Sequence, residues 1–274
     1  MNDVVVLIPH YNNIEGLKKS IASINDDVDI LIVDDGSFSK PTEEELRDLC
    51  VNPRVQIEII YLKKNQGIEH ALNAGLKTVY QKGYKFIARL DAGDECLPYR
   101  FSVQKQFLEY NPEIYLVGSW AEVVEENRVS YILKKPTDYK TIKKLIFVNN
   151  TFIHPAVMFR REVIDEVGFY PEKYKYAEDY AYFFKITKKF KCANIDKPLI
   201  RYTLGESNIS WKYYKKQLKS RIKIIWDNKA LNPYWFYGLI RNIFLLIVPK
   251  QFIEKLKKIL FTLLTNKEYK KANF

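Results

Sequence analysis

Apolar runs and helical repeats alternate through the first 110 residues. Val4–Ile8 is an unbroken apolar run, the pattern of a parallel strand buried on both faces. Ile14, Leu17, Ile21 and Ile24 then recur at helical spacing, with Asn13 ahead of them as an N-cap. Ile30–Val33 predicts a second strand, stopped by Asp34-Asp35-Gly36-Ser37. A short helix over Thr42–Leu49 and a third strand over Val55–Leu62 follow. Ile68, Ala71, Leu72, Gly75, Leu76 and Val79 mark another helix. Lys85–Leu90 predicts a fourth strand, stopped by Asp91-Ala92-Gly93-Asp94, and Pro98 is expected to open a helix running to Tyr110. Strand–helix repetition of this kind predicts an α/β fold: an open, mostly parallel, Rossmann-like sheet with helices on both faces.

From 111 to 210 the pattern is mixed. Strands are expected over Ile114–Gly118, Val129–Leu133, Ala156–Phe159 and Ala193–Tyr202. Helices are expected over Thr141–Val148, over the segment that ends at Gly168, and over Glu178–Lys189. From Trp211 onward the chain reads as helical, broken at Asn232-Pro233 and at Pro249. The organisation expected is a body over 1–210 with halves divided near residue 110, and a helical C-terminal extension over 211–274.

Charge sharpens that division. The formal net charge is +11, yet residues 1–210 hold 29 Lys and Arg against 30 Asp and Glu, and residues 211–274 hold 15 against 3. A nucleic-acid binder spreads its basic stripe over the folded body, so confinement of the excess to the tail argues against that class. Within the tail, Phe252, Ile253, Leu256, Ile259, Leu260, Leu263 and Leu264 share one helical face opposite Lys255, Lys257 and Lys258. Tyr234–Val248 is apolar apart from Arg241 and Asn242, but falls short of the roughly 20 residues a spanning helix needs. The pattern predicts an in-plane anchor on an anionic membrane surface, with packing of these helices on the body as the competing reading. Cys50, Cys96 and Cys192 lie far apart with no CxxC pair, which fits a reducing cytosol and excludes a disulfide framework or a Cys-rich zinc site. The N-terminus has no basic region ahead of its apolar run, so no signal peptide is expected.

Open α/β sheets bind ligands at the carboxyl ends of their strands. Both acidic clusters, 34–35 and 91–94, fall at such ends. Either one taken singly reads as a polar loop capping a strand. Four features in order carry more: Pro9-His10-Tyr11-Asn12, Asp34-Asp35-Gly36-Ser37, Asp91-Ala92-Gly93-Asp94 and Glu178-Asp179. With these the chain resembles the family 2 glycosyltransferases, inverting enzymes of the GT-A fold, over roughly residues 3–210. His154-Pro155-Ala156-Val157-Met158-Phe159-Arg160-Arg161, Gly168-Phe169-Tyr170 and Tyr176-Ala177-Glu178-Asp179-Tyr180 resemble the acceptor-side half of bacterial surface-polysaccharide transferases of O-antigen and capsule assembly.

The resemblance implies transfer of a hexosyl or N-acetylhexosaminyl group from a nucleotide-diphosphate donor, a UDP-sugar, to a lipid-linked oligosaccharide. It implies Mn²⁺ or Mg²⁺ held by Asp91 and Asp94, because a departing diphosphate needs a hard cation and carboxylates are its natural ligands. The family's Asp-x-Asp pattern would put a carboxylate at Gly93, and this chain has Asp94 beside it instead, so which aspartate ligates directly stays open. Pro9, Tyr11, Asp35, Asn65 and Asp91 are implied on the donor side, with Asp35 accepting from the nucleobase. Asp179 is implied as the general base, with Glu178 and His154 on the acceptor side. Residues 1–110 would then bind nucleotide and 111–210 acceptor, in an enzyme peripheral on the cytoplasmic face of the membrane. Two other readings are a non-catalytic nucleotide- or glycan-binding membrane module with a decayed metal site, and a sugar nucleotidyltransferase. The latter wants a glycine-rich basic phosphate loop after the first strand, which Pro9-His10-Tyr11-Asn12-Asn13 does not supply.

Overall fold

A computed structural model describes residues 2–125, 128–203 and 213–248. The elements run β1 (Val4–His10), α1 (Ile14–Ala22), β2 (Asp29–Asp34), α2 (Glu43–Arg47), β3 (Ile57–Tyr61), α3 (Ile68–Lys82), β4 (Phe86–Arg89), β5 (Glu95–Cys96) and α4 (Arg100–Tyr110). Then follow β6 (Ile114–Glu125), β7 (Arg128–Leu133), α5 (Tyr139–Leu145), a 3-10 turn (His154–Ala156), β8 (Met158–Arg160), α6 (Glu162–Val167), α7 (Glu178–Lys189) and β9 (Lys191–Thr203). Two further helices, α8 (Tyr214–Asp227) and α9 (Pro233–Ile247), complete the described chain.

Among the described residues one sheet runs in the order β3-β2-β1-β4-β8-β6-β9-β5, with β7 paired to β6. The block β3-β2-β1-β4 is all parallel. β8 enters antiparallel between β4 and β6, and β9 returns parallel to β6. The chain steps outward from β1 to β2 and β3, then crosses back to lay β4 on the other side of β1. That reversal opens a crevice beyond the ends of β1 and β4, where such sheets take ligands.

The apolar run of β1 is unbroken because both sheet faces are covered. Val5 and Leu7 join Leu31, Val33, Leu72 and Leu76 on one face. Val4, Val6 and Ile8 join Leu17, Ile21, Ile30 and Phe101 on the other. The first core continues into α7 through Tyr180, Phe183 and Phe184, and takes in Ile224, Ile225 and Trp235 from α8 and α9. The two C-terminal helices are thus seated on the body by the same burial that holds the sheet.

The strand expected over Ile114–Gly118 runs on to Glu125, a short strand β5 that was not expected follows the 91–94 loop, and two expectations shift at prolines. Pro98 does not open α4: Tyr99 takes a left-handed backbone (φ 61°) and the helix begins at Arg100. Its first N–H groups are capped from a distance, since the Asp26 carboxylate accepts from Phe101 N (3.2 Å) and Ser102 N (2.9 Å). The strand expected from Ala156 starts at Met158, because Pro155 has no N–H for a ladder and sits in the 3-10 turn. The amphipathic segment 250–264 and the segment 204–210 lie outside the described residues.

Gly238 decides how α9 lies. A Cβ there would stand 2.0 Å from the Phe147 carbonyl oxygen, so only glycine lets the helix press onto the backbone of 147–148. Gly238→Ala is expected to lower stability by about 1–3 kcal/mol, overpacking outweighing alanine's better helix propensity, read as a fall in the urea midpoint.

Candidate active site

The ends of β1, β2 and β4 place their polar residues around one crevice. At the end of β2, Asp34 accepts from His10 Nδ1 (2.9 Å) and from Ser37 N (3.1 Å). His10 Nε2 accepts from Asn13 N (3.1 Å), so the ring proton sits on Nδ1 and is donated to Asp34. Asp35 turns the other way. Its two oxygens accept Gln66 N and Gly67 N, both at 2.9 Å, and so clamp the loop before α3 onto the β2 turn. Burial pushes its carboxyl above the ordinary range; the two N–H donors oppose this, and Asp34 and Glu69 add to it. Pro9 pairs with Val33 at the end of β1. Tyr11 just beyond it is exposed, as is Asn65 in the clamped loop.

The loop after β4 is tied down on several sides. Ser20 Oγ donates to the carbonyl oxygens of Asp91 (3.0 Å) and Asp94 (2.7 Å) and accepts from Gly93 N (2.9 Å). Gly93 has φ 119°, a conformation that penalises any side chain, so an acidic residue in its place would be strained. The displacement of the second carboxylate to Asp94 follows from that turn. Asp94 Oδ1 accepts Thr203 N at 3.0 Å, while Oδ2 is buried with no partner among the described residues. Burial, then the neighbouring Asp91, holds this carboxyl well above its ordinary value. Asp91 is half-exposed and accepts a short hydrogen bond from the buried Arg89.

From the opposite side, α7 presents Glu178 and Asp179 in its first turn. Asp179 Oδ2 accepts Asn150 Nδ2 at 2.8 Å. Burial raises its carboxyl, the Tyr180 N–H, Arg221 and Lys135 lower it, and Asp91 raises it again. Glu178 is raised further, by burial and then by Asp179, Glu69 and Asp91. Its Oε2 finds no partner among the described residues. The charge of Asp91 is thus felt by Asp94, Glu178 and Asp179 alike, which sets these four residues singled out from sequence in one electrostatic neighbourhood.

The others stand apart from that cluster or beneath it. Asp35, Tyr11, Pro9 and Asn65 belong to the β1 and β2 end. His154 sits under Arg89, whose Nε reaches its Nε2 at 3.3 Å, with Tyr170 Oη at 2.9 Å. Burial and the Arg89 charge push the imidazole well below its usual value, so it is neutral at pH 7.

Sequence reasoning missed Glu69, Asn150 and Lys135. Glu69 is buried at the start of α3, where a glutamate reads only as N-terminal charge. Asn150 and Lys135 sit in loops without a motif. Lys135 Nζ donates to the Asn150 carbonyl at 2.9 Å, and burial and Arg221 depress its ammonium to about 8.

These carboxylates suit a hard divalent cation. Asp94 Oδ2 is a buried oxygen without a donor, and Asp91 is close enough to raise the same carboxyl. No three His, Cys, Asp or Glu side chains gather around one metal position among the described residues, so further ligands would come from water and substrate phosphates.

A sheet covered on both faces, with its crevice at the switch point and carboxylates on both banks, defines an α/β protein of the GT-A type. The chain belongs to glycosyl transferase family 2, whose family model matches residues 5–168. It is 30% identical to an uncharacterized glycosyltransferase of Methanocaldococcus jannaschii, over 90% of this chain and 89% of that one. It is 28% identical to the amylovoran biosynthesis glycosyltransferase AmsE of Erwinia amylovora, over 86% and 91%. Against the UDP-Gal:alpha-D-GlcNAc-diphosphoundecaprenol beta-1,3-galactosyltransferase of Escherichia coli the identity is 27%, over 82% of each. In fold it is similar to S. aureus TarS, with TM-score 0.64 and 17% identity over 88% of this chain and 71% of that one. TarS is also known in complex with UDP-GlcNAc. The mannosyltransferase PcManGT of Pyrobaculum calidifontis, solved with GDP-Man and Mn²⁺, gives TM-score 0.62 at 14% identity over 88% and 68%.

The raised Glu178 carboxyl makes a pH prediction. The folded state holds this proton more tightly than the unfolded chain, so its stabilising contribution is complete below the ordinary value of 4.5 and is lost as pH rises through the folded value. Glu178→Gln removes the penalty. Its melting temperature relative to wild type should therefore climb between pH 5 and 9; a difference independent of pH would contradict the raised carboxyl.

Proposed function

We propose that the protein is an inverting, metal-assisted glycosyltransferase moving a hexosyl or N-acetylhexosaminyl group from a UDP-sugar to a lipid-linked oligosaccharide in surface-polysaccharide assembly. The observation that carries this reading is that the charge of Asp91, beside Asp94 at the β4 end, reaches Glu178 and Asp179 at the start of α7, in a family 2 chain. The UDP donor and lipid-diphosphate acceptor are supported by the names of the Escherichia coli relative and of the TarS complex, and polysaccharide assembly by AmsE.

Residues 1–110 take the nucleotide in this reading. Asp35 keeps lone pairs beyond those used by Gln66 and Gly67, enough to accept from a nucleobase. Pro9, Tyr11 and Asn65 lie at the same β1 and β2 end and take the nucleotide with it. Asp91 and Asp94 would hold Mn²⁺ or Mg²⁺, which when bound would offset the charge of the diphosphate leaving group; the Mn²⁺ complex of PcManGT supports this. Arg89 orients Asp91 from below.

Residues 111–210 take the acceptor. Asp179 receives the proton of the attacking hydroxyl, and attack opposite the leaving group inverts the anomeric centre. Asn150 occupies Oδ2, and Oδ1 carries no side-chain hydrogen bond among the described residues, so that oxygen is the one offered to the hydroxyl. Glu178, protonated near neutrality, serves as a donor positioning the acceptor. His154 acts through Arg89 rather than as a base.

Residues 211–274 hold the enzyme at the cytoplasmic face of the membrane. Outside the core contacts, α9 turns Phe236, Tyr237, Ile240, Phe244 and Ile247 outward. No helix among the described residues is long and apolar enough to cross a membrane. Membrane residence brings the enzyme to its lipid-linked substrate.

Release of UDP from a panel of UDP-sugars, with and without Mn²⁺, tests the donor side. Wild type should hydrolyse one donor slowly, and Asp94→Ala should abolish the metal response. Asp179→Asn should keep UDP affinity within about twofold while transfer falls by roughly 10²–10⁴-fold. Metal-dependent UDP binding absent from folded wild type would overturn the reading. Asn150→Ala should lower kcat by about tenfold and leave the donor KM unchanged, since it removes one hydrogen bond from the base.

A further inference from the structure

Three cations surround the loop that carries Asn150. Lys135 Nζ donates to the Asn150 carbonyl at 2.9 Å. Arg221 on α8 donates to Asn149 Oδ1. Arg241 on α9 reaches the Val148 carbonyl at 3.5 Å. Three consecutive loop residues thus each hold one cation, and the third also holds Asp179 through its side chain.

In place of carboxylates, these cations meet neutral oxygens. Burial lowers the Arg221 guanidinium, and Arg241 nearby adds to this. Burial and Arg221 lower Lys135. The Arg221 Nε is buried and finds no acceptor among the described residues. Asp179 is the carboxylate that acts on Lys135 and Arg221 both. Two desolvated cations with a third beside them, answered by one carboxylate, leave an unmet demand for negative charge.

The surroundings say what kind of anion fits. Arg241 lies on the stripe of α9 that also carries Tyr237 and Phe244, four residues before it and three after, and both are exposed. Beside them Ile240 is 65% exposed. A cationic cluster bordered by an exposed apolar helix face matches an amphiphile with a compact polyanionic head. Gly238 presses this part of α9 onto 147–148, so the apolar face and the cation loop are held as one surface.

We infer that Lys135, Arg221 and Arg241 form an anion subsite that receives the diphosphate of a lipid-diphosphate acceptor, with the lipid leaving along the outer face of α9. This rests on the lipid-linked acceptor reading above and deepens it. Guanidinium groups bind phosphate oxygens through paired, charge-assisted hydrogen bonds, and the orphaned Arg221 Nε supplies one donor of such a pair. The acceptor is thereby gripped at its diphosphate, with its sugar directed towards Asp179. A nucleotide diphosphate carries the same chemistry, so the test separates the two sources.

Farnesyl diphosphate, farnesol, and UDP with Mn²⁺ are each titrated calorimetrically into the full-length protein. Wild type should bind farnesyl diphosphate and bind farnesol at least tenfold more weakly. Arg221→Gln and Arg241→Gln should each weaken farnesyl diphosphate about tenfold and leave UDP affinity within twofold. Arg221→Lys, which keeps the charge, should recover part of the loss. Melting temperatures check folding, and Arg241→Gln, at a half-exposed position, carries the test if Arg221→Gln unfolds. Unchanged farnesyl diphosphate affinity in Arg241→Gln, equal binding of farnesol, or no binding by wild type overturns the subsite. An equal loss of UDP affinity overturns it as well, assigning the cations to the nucleotide. Sugar transfer that persists in Asp179→Asn would sink the general-base reading while leaving the subsite standing, so the two failures are distinct.

Discussion

A buried guanidinium joins the parallel and mixed parts of the sheet. Arg89 closes β4 with its side chain enclosed, donating to the Leu90 and Leu7 carbonyls, to Asp91 and to His154. A second buried arginine, Arg100, donates to the Arg89 carbonyl at 2.6 Å. A charge in that position is tolerable only with its hydrogen bonds filled, because desolvation would otherwise exceed any Coulomb gain. Its partners are therefore fixed by necessity: the middle of β1, the first carboxylate of the 91–94 loop, and the 3-10 turn ahead of β8. The site inherits its rigidity from that arrangement.

Burial and the Asp91 charge raise the carboxyls of Asp94, Glu178 and Asp179, and positive charges stand among them, Arg89 on Asp91 and Lys135 with Arg221 around the loop that holds Asp179. A site so arranged is unfavourable without cation or proton, and it stores that cost in the packing of α3, α7 and the sheet. In the proposed reading, a metal ion held by Asp91 and Asp94 would relieve the repulsion on one bank. The protonated Glu178 relieves it on the other.

The C-terminal helices are part of the body as much as of the surface. Trp235 Nε1 donates to the Ile225 carbonyl at 2.8 Å and locks α9 to α8. Tyr174 Oη and Lys173 Nζ both reach Asp227, fastening α8 to the segment before α7. Arg221 and Arg241 reach the 148–150 loop only because both helices are seated in this way. Of the two readings of the tail, packing on the body is what α8 and α9 show, while α9 keeps an exposed apolar face besides.

Much of this was legible in the residue order. The unbroken apolar run of β1 could only be a strand covered on both sides, and Glu178–Lys189 matched its helix because charge, apolar spacing and terminal lysines agreed. The aspartates after β2 and β4 had to lie at strand ends, since the runs before them stop there. Tertiary structure decided the rest. Asp26 caps a helix more than seventy residues away, so no local signal placed the start of α4 at Arg100. Asp35 and Asp34 are adjacent in sequence but clamp different partners, a choice made by the pleat and by the loop before α3. Above all, Glu69, Asn150, Lys135 and Arg221 gather around Glu178 and Asp179 from separate parts of the chain. Hydrophobic periodicity fixes each element's inward face, but which polar residues then meet depends on strand order and helix seating, which act over the whole chain at once.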